Sequence, residues 1–168
     1  MKILIVDAGN YCRSPVAECV LRKLYKLSQS AAALSFSSAG LKDKHAGDGA
    51  DPRSIAACNA RGYDLTAHRC REITADDFRD CDLILAMDRD NLVQLKERQP
   101  VNGRAQLELF LGDAEVPDPY YGGDDGFATM MNQIEARARS LLATLKSHST
   151  TDQDLKSSDC VLSSGRKS

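Results

Sequence analysis

Short apolar runs alternate with amphipathic stretches along this chain, a pattern that predicts buried strands layered against helices. It opens with "KILIV" (2–6), an unbroken run fitting a strand covered on both faces. "PVAECVLRKLYKL" (15–27) follows with apolar residues at helical spacing and Pro15 in the first turn, where a missing N–H costs nothing. "LSFSSAG" (34–40) predicts a second strand, completing a βαβ unit whose crossover should be right-handed. Asp51 before Pro52 marks a helix start, and "PRSIAACNA" (52–60) ends near Gly62. Thr74 caps a short helix through Phe78, "CDLILAM" (81–87) is the strongest internal strand, and "DRDNLVQLKERQ" (88–99) is a helix stopped by Pro100. "AQLELF" (105–110) gives the fourth strand.

The stretch "GDAEVPDPYYGGDDG" (112–126) is rich in Gly, Pro and acids, which predicts a long loop without regular structure, a kind often used for function. A last helix over about 127–147 carries Ile134, Ala138, Leu141, Leu142 and Leu145 on one face, a stripe for core packing. After Ser147 the chain is rich in Ser, Asp and Lys, so 1–147 is read as one domain and 148–168 as a disordered tail.

Composition narrows the classes. A chain of 168 residues buries enough surface to stand as one domain without a staple. With 42% hydrophobic residues, 27% charged residues and a formal net charge of -2, it carries neither a nucleic-acid stripe nor a membrane patch. "ILIV" is too short for a signal core or a membrane span and runs into Asp7, so the expected location is cytoplasmic. The cysteines at 12, 19, 58, 70, 81 and 160 form no CxxC pair and no metal-like cluster with histidine. They read as reduced structural thiols in a protein without a metal or cofactor.

Candidate chemistry sits in "VDAGNYCRSPVAE" (6–18), a strand running through a glycine turn into a helix. Residues 8–14 can point successive amides inward while the helix adds its positive end, so the turn favours an anion. Gly9 supplies backbone freedom, and Arg13 can grip two phosphate oxygens as a fork. Such a turn alone is common and would leave several functions open.

The chain as a whole, over about residues 2–146, resembles the low-molecular-weight protein-tyrosine phosphatases. Their loop has the form C-x5-R-[ST], usually C-x-G-N-x-C-R-S-P, and residues 7–15 here read D-A-G-N-Y-C-R-S-P. "SSAG" (37–40), "DPR" (51–53), "LTAHRCREIT" (65–74), "DLILAMDR" (82–89) and "DPYYGG" (118–123) match in the family's order. The resemblance implies an α/β, flavodoxin-like, doubly wound fold with a four-stranded parallel sheet in the order 2-1-3-4, helices on both faces and the site at the carboxyl end.

It further implies phosphotyrosine hydrolysis in two steps through a phospho-enzyme, with a phosphotyrosine protein as substrate and inorganic phosphate or similar anions as ligands. Ala8, Gly9, Asn10, Tyr11, Cys12, Arg13 and Ser14 would bind the phosphate. Asp118 would be the general acid. Ser14 would donate its hydroxyl to the nucleophile, while Asn10, Ser38 and His68 hold the loop. Tyr120 and Tyr121 would wall the cleft; opposite them, where many members carry an aromatic residue, stand Lys44 and His45, implying a more polar wall. Tyr11 adds bulk where the family has Ile, Leu or Thr. No feature of the chain sets an oligomeric state.

Asp7 stands where the resemblance places the nucleophilic cysteine. Three outcomes are open. Asp7 could attack and form an acyl phosphate; it could fill the anion site, bonding the loop amides and Arg13 and leaving little activity; or Cys12 could substitute as nucleophile. Filling of the site is the preferred reading, and Asp7 also forbids a disulfide between positions 7 and 12. The alternative from another class is a pseudophosphatase that binds a phosphoprotein without hydrolysing it. Arsenate reduction, a further branch of the fold, would want redox cysteines outside the loop, and "DPYYGG" speaks for a phosphatase.

Overall fold

In the computed structural model, residues 1–158 are described, with side chains apart from those of Tyr121, Asp124 and 148–158. The elements run β1 (Lys2–Asp7), α1 (Arg13–Leu27), β2 (Ser35–Gly40), α2 (Pro52–Asn59), α3 (Ala75–Asp80), β3 (Leu83–Ala86), α4 (Arg89–Arg98), β4 (Gln106–Leu109) and α5 (Asp124–Ser158). The four strands form one parallel sheet in the order β2-β1-β3-β4, the flavodoxin-like arrangement the resemblance implies.

Two apolar cores follow from strand alternation. Ile3 and Ile5 of β1 and Leu83 and Leu85 of β3 face one side, where Val16, Ala17, Val20 and Leu21 of α1 and Met130, Ile134 and Ala138 of α5 close over them. Leu4, Val6, Ile84 and Ala86 face the other, against Phe78 of α3 and Leu95 of α4. The in-register pairs Ile3–Leu83 and Leu4–Ile84 keep each set together, because a one-residue slip would exchange the faces. Ile134, Ala138, Leu141 and Leu142 are buried and Leu145 packs against them, as their spacing predicts.

Two expectations need correction. The stretch 112–126 is not wholly irregular: Pro119–Tyr121 forms a 3₁₀ turn, and α5 already begins at Asp124. A proline in the first turn favours such a start, as it does for a helix. The last helix also runs past Ser147 to Ser158, so the first part of the expected tail is helical. Polar residues need no buried face to extend a helix already nucleated by its packed turns. The remainder of that expected tail, 159–168, lies outside the described residues.

The sheet order puts β1 and β3 side by side at the centre, with their carboxyl ends at a topological switch point. Residues leaving those two ends, 7–14 after β1 and 87–88 after β3, therefore meet at one edge of the sheet.

Candidate active site

The loop after β1 is held by a buried polar lattice. Asn10 adopts a left-handed backbone, φ 57°, and is fully buried. Asparagine tolerates this conformation better than most residues. Its Nδ2 donates to Ser14 Oγ at 3.0 Å and Ser38 Oγ at 2.9 Å, and its Oδ1 accepts from the Arg71 amide at 3.0 Å. The Asn10 carbonyl lies 3.0 Å from His68 Nε2. Ser38 passes the lattice on, donating to Glu18 Oε2 at 2.6 Å. The structure thus brings Asn10, Ser38 and His68 together, with Glu18 as a member the sequence reading missed.

Gly40, at the end of β2, lies against this loop so closely that a Cβ there would stand 2.7 Å from the Gly9 carbonyl carbon and 2.8 Å from the Asn10 nitrogen. Both are backbone atoms, so neither has a rotamer by which to yield.

Asp7 is buried at 3% exposure, and both its oxygens are engaged. Oδ1 accepts from the Asn10 amide at 2.5 Å and Oδ2 from the Ser14 amide at 2.8 Å. Cys12, the residue before α1, gives that helix no side-chain cap. Asp7 performs the capping task from seven residues upstream, placing a negative charge on the positive end of α1.

The expected bond from Arg13 to Asp7 is not made. The guanidinium turns the other way, donating through Nη1 to Asp88 Oδ2 at 2.7 Å and to the Val116 carbonyl at 2.9 Å. Its Nη2 lies 3.6 Å from Asp118 Oδ2. Asp88 wins because it leaves the end of β3 beside the loop and offers an oxygen to which Arg13 can donate directly. A second correction concerns Ser14: its amide, not its hydroxyl, donates to residue 7, and the hydroxyl accepts from Asn10.

Three aspartates around the loop share one design. Asp51, Asp88 and Asp118 each begin a helical turn, accepting the amide of Arg53 at 2.8 Å, Asn91 at 2.7 Å and Tyr120 at 3.0 Å. Each also turns a carboxylate oxygen toward the loop: Asp51 to Cys12 Sγ at 3.5 Å, Asp88 and Asp118 to Arg13. Capping fixes these carboxylates before any ligand arrives. Asp88 and the Val116 carbonyl were not singled out from the sequence, although "DR" after a buried strand carried the first signal.

Asp7, Ala8, Gly9, Tyr11, Cys12 and Arg13 line a cleft of about 160 Å³, joined by Asp118, Tyr120, Lys42, Lys44 and His45. Asn10 and Ser14 lie behind the loop and are fully buried. The side wall is not simply polar. His45 stacks flat on Tyr11, with ring centroids 3.9 Å apart and planes at 5°, and Tyr11 meets Tyr120 at 6.2 Å and 58°. Tyr11 thus supplies an aromatic surface from within the loop, backed by His45. Arg53 lies over the Tyr120 ring at 5.3 Å and donates to the Tyr120 carbonyl at 3.0 Å, steadying that wall. The side chain of Tyr121 lies outside the described residues.

Cys12 is buried, and burial pushes its thiol up, reinforced by the nearby Asp51 carboxylate to which it donates. A nucleophile needs the opposite shift. Cys12 is expected to resist iodoacetamide at pH 8 in the folded protein and to react once urea unfolds it, as mass spectrometry of the labelled peptide will show; rapid native labelling would refute this placement.

A parallel α/β sheet with inward amides in the loop at its switch point, and with an arginine 3.6 Å from an aspartate beside an aromatic cleft, is an arrangement that suits a phosphoryl group. Residues 2–151 match the family model described as low molecular weight phosphotyrosine protein phosphatase. The chain is 37% identical over 152 residues to the low molecular weight phosphotyrosine protein phosphatase of Sus scrofa, spanning 86% of this chain and 95% of the pig protein. It is 36% identical to the low molecular weight protein-tyrosine-phosphatase of Streptomyces coelicolor, spanning 86% and 93% of the two chains. The crystal structure of a protein tyrosine phosphatase from Entamoeba histolytica with Hepes in its active site superposes with a TM-score of 0.82 at 34% identity, over 89% of this chain and 99% of that one. This chain belongs to the low molecular weight phosphotyrosine protein phosphatase family, and its functional class by descent is protein-tyrosine phosphatase.

Proposed function

We propose that this chain is a phosphotyrosine phosphatase whose hydrolysis is impaired because Asp7 occupies the position of the attacking thiolate. The observation that carries the reading is the double bonding of Asp7. With one oxygen held by the Asn10 amide and the other by the Ser14 amide, the carboxylate serves as a structural anion. To attack phosphorus it would have to surrender one of those bonds.

A bound phosphate dianion would also meet this fixed charge. Like unit charges about 4 Å apart repel by about 4 kcal/mol at an effective dielectric of 20. Arg13 lines the same cleft and offsets part of that cost. The raised thiol of Cys12 supports the view that it is no replacement nucleophile.

The rest of the machinery fits aryl phosphate. Asp118 is held by the Tyr120 amide at the cleft edge, where a carboxyl group can protonate a departing phenolate. Arg13, already steered by Asp88, faces the position where equatorial oxygens gather charge in the transition state. Tyr11 and Tyr120 offer ring surfaces for the aryl group. In this reading the substrate is a phosphotyrosine protein handled without a cofactor, in the cytoplasm. Comparing turnover of p-nitrophenyl phosphate by the protein and its Asp7→Cys form tests it, because a folded but inactive cysteine form would leave a binding module as the better account.

A further inference from the structure

Among the described residues, two ammonium groups that line the cleft have no ion-pair partner. Lys42 and Lys44 both line it and both are exposed. Neither joins an ion pair among the described residues. The other charges of the site are engaged: Arg13 with Asp88 and Asp118, Arg53 with Asp51, and Asp7 with two amides. Asp43 lies between the lysines in sequence but does not line the cleft.

The backbone that carries them is fixed to the loop. The Leu41 amide donates to the Asp7 carbonyl at 3.0 Å and the Lys42 amide to the Ala8 carbonyl at 2.9 Å. His45, next after Lys44, stacks on Tyr11 and lies close enough to Gly9 that a Cβ there would stand 3.2 Å from its ring. Both side chains therefore rise from a segment anchored beside the loop, and both line the cleft that the phosphoryl group would enter.

We propose that Lys42 and Lys44 form a subsite for an acidic side chain next to the phosphotyrosine, so that the preferred substrate class is an acidic phosphotyrosine segment. This rests on the phosphatase reading and specifies its substrate. In this proposal the lysines select the flanking residue and take no part in bond breaking. Exposed pairs are individually weak and screened by salt, so the selection should be modest and sensitive to ionic strength.

The test uses two phosphotyrosine peptides that differ only in Glu or Gln beside the phosphotyrosine, compared as a ratio of kcat/KM with the full-length Asp7→Cys enzyme. The Glu peptide should be favoured about threefold to tenfold at low ionic strength. That ratio should fall toward one in 0.5 M salt and in a Lys42→Gln/Lys44→Gln variant, and invert in Lys42→Glu/Lys44→Glu. Inversion is an outcome that mere disturbance of the fold would not produce. Equal rates for the two peptides, or a preference indifferent to both lysines, would overturn the proposal. If Asp7→Cys proves inactive even on p-nitrophenyl phosphate, it is the phosphatase reading that fails. The lysines are then judged by fluorescence anisotropy of the same peptides on the unaltered protein, where equal affinity, or no binding of either, overturns them.

Discussion

Replacing Asp7 with cysteine is expected to raise kcat/KM on p-nitrophenyl phosphate by at least about three decades, equivalent to ~4 kcal/mol of transition-state stabilisation gained with a competent nucleophile. The gain comes from the nucleophile: a soft thiolate, favoured at the positive end of α1, replaces a carboxylate that cannot attack without surrendering one of its two amide bonds. The same substitution exchanges the two carboxylate oxygens that accept the Asn10 and Ser14 amides for a single, weaker sulfur acceptor, so stability should fall by about 1–2 kcal/mol. Activity gained at the expense of stability is a signature distinct from a general improvement in folding. Thermal unfolding and initial rates on the same preparations measure both. A cysteine form that melts cooperatively and yet hydrolyses nothing would sink the phosphatase reading. Strong turnover by the unaltered protein, with a phospho-intermediate cleaved by hydroxylamine, would establish aspartyl catalysis in its place.

Asp7 explains why the site was only partly legible in the sequence. Its position at the exit of β1 could be read from "ILIV" and the glycine turn, and its burial followed from the run before it. Its bonds could be read only in part. Sequence reasoning offered the loop amides and Arg13 together; the amides of Asn10 and Ser14 take both oxygens, whereas Arg13 goes to Asp88. Asp88 arrives from a strand distant in sequence and adjacent only through the sheet order.

The same distinction holds across the molecule. Asp51-Pro52 and Asp118-Pro119 announce their caps locally, since an acidic residue before proline is a helix-start pattern. What those aspartates do with the second oxygen depends on tertiary neighbours, Cys12 in one case and Arg13 in the other. Periodicity recovered the strands and helices that bury an apolar face, to within a few residues at the ends except at the C-terminus of α5. It failed in 112–126 and beyond Ser147, where polar and small residues form a turn and a helix without an apolar stripe to reveal them. The Tyr11–His45 stack escaped notice because it joins the loop to a segment beyond β2.

Asn10→Ala is expected to destabilise the fold by about 3–4 kcal/mol, more than the loss of any single hydrogen bond in the loop. Three side-chain bonds disappear at once, to Ser14, Ser38 and the Arg71 amide, each of them worth about 1 kcal/mol when its partner is left buried. The rest is conformational preference: both residues carry a Cβ, but asparagine populates the left-handed region at φ 57° more readily than alanine, a difference of up to about 1 kcal/mol. Asn10→Gly separates the two terms, because glycine accepts that backbone freely while losing the same three bonds. The glycine form should therefore recover about 1 kcal/mol relative to alanine and no more. At 2–4 °C per kcal/mol for a domain of this size, the alanine form should melt about 6–16 °C lower. If glycine restored full stability, the lattice of Asn10, Ser14 and Ser38 would be irrelevant to the loop's shape. If both variants lost equally, that preference would be negligible and the hydrogen bonds alone would hold residues 7–14 around their anion.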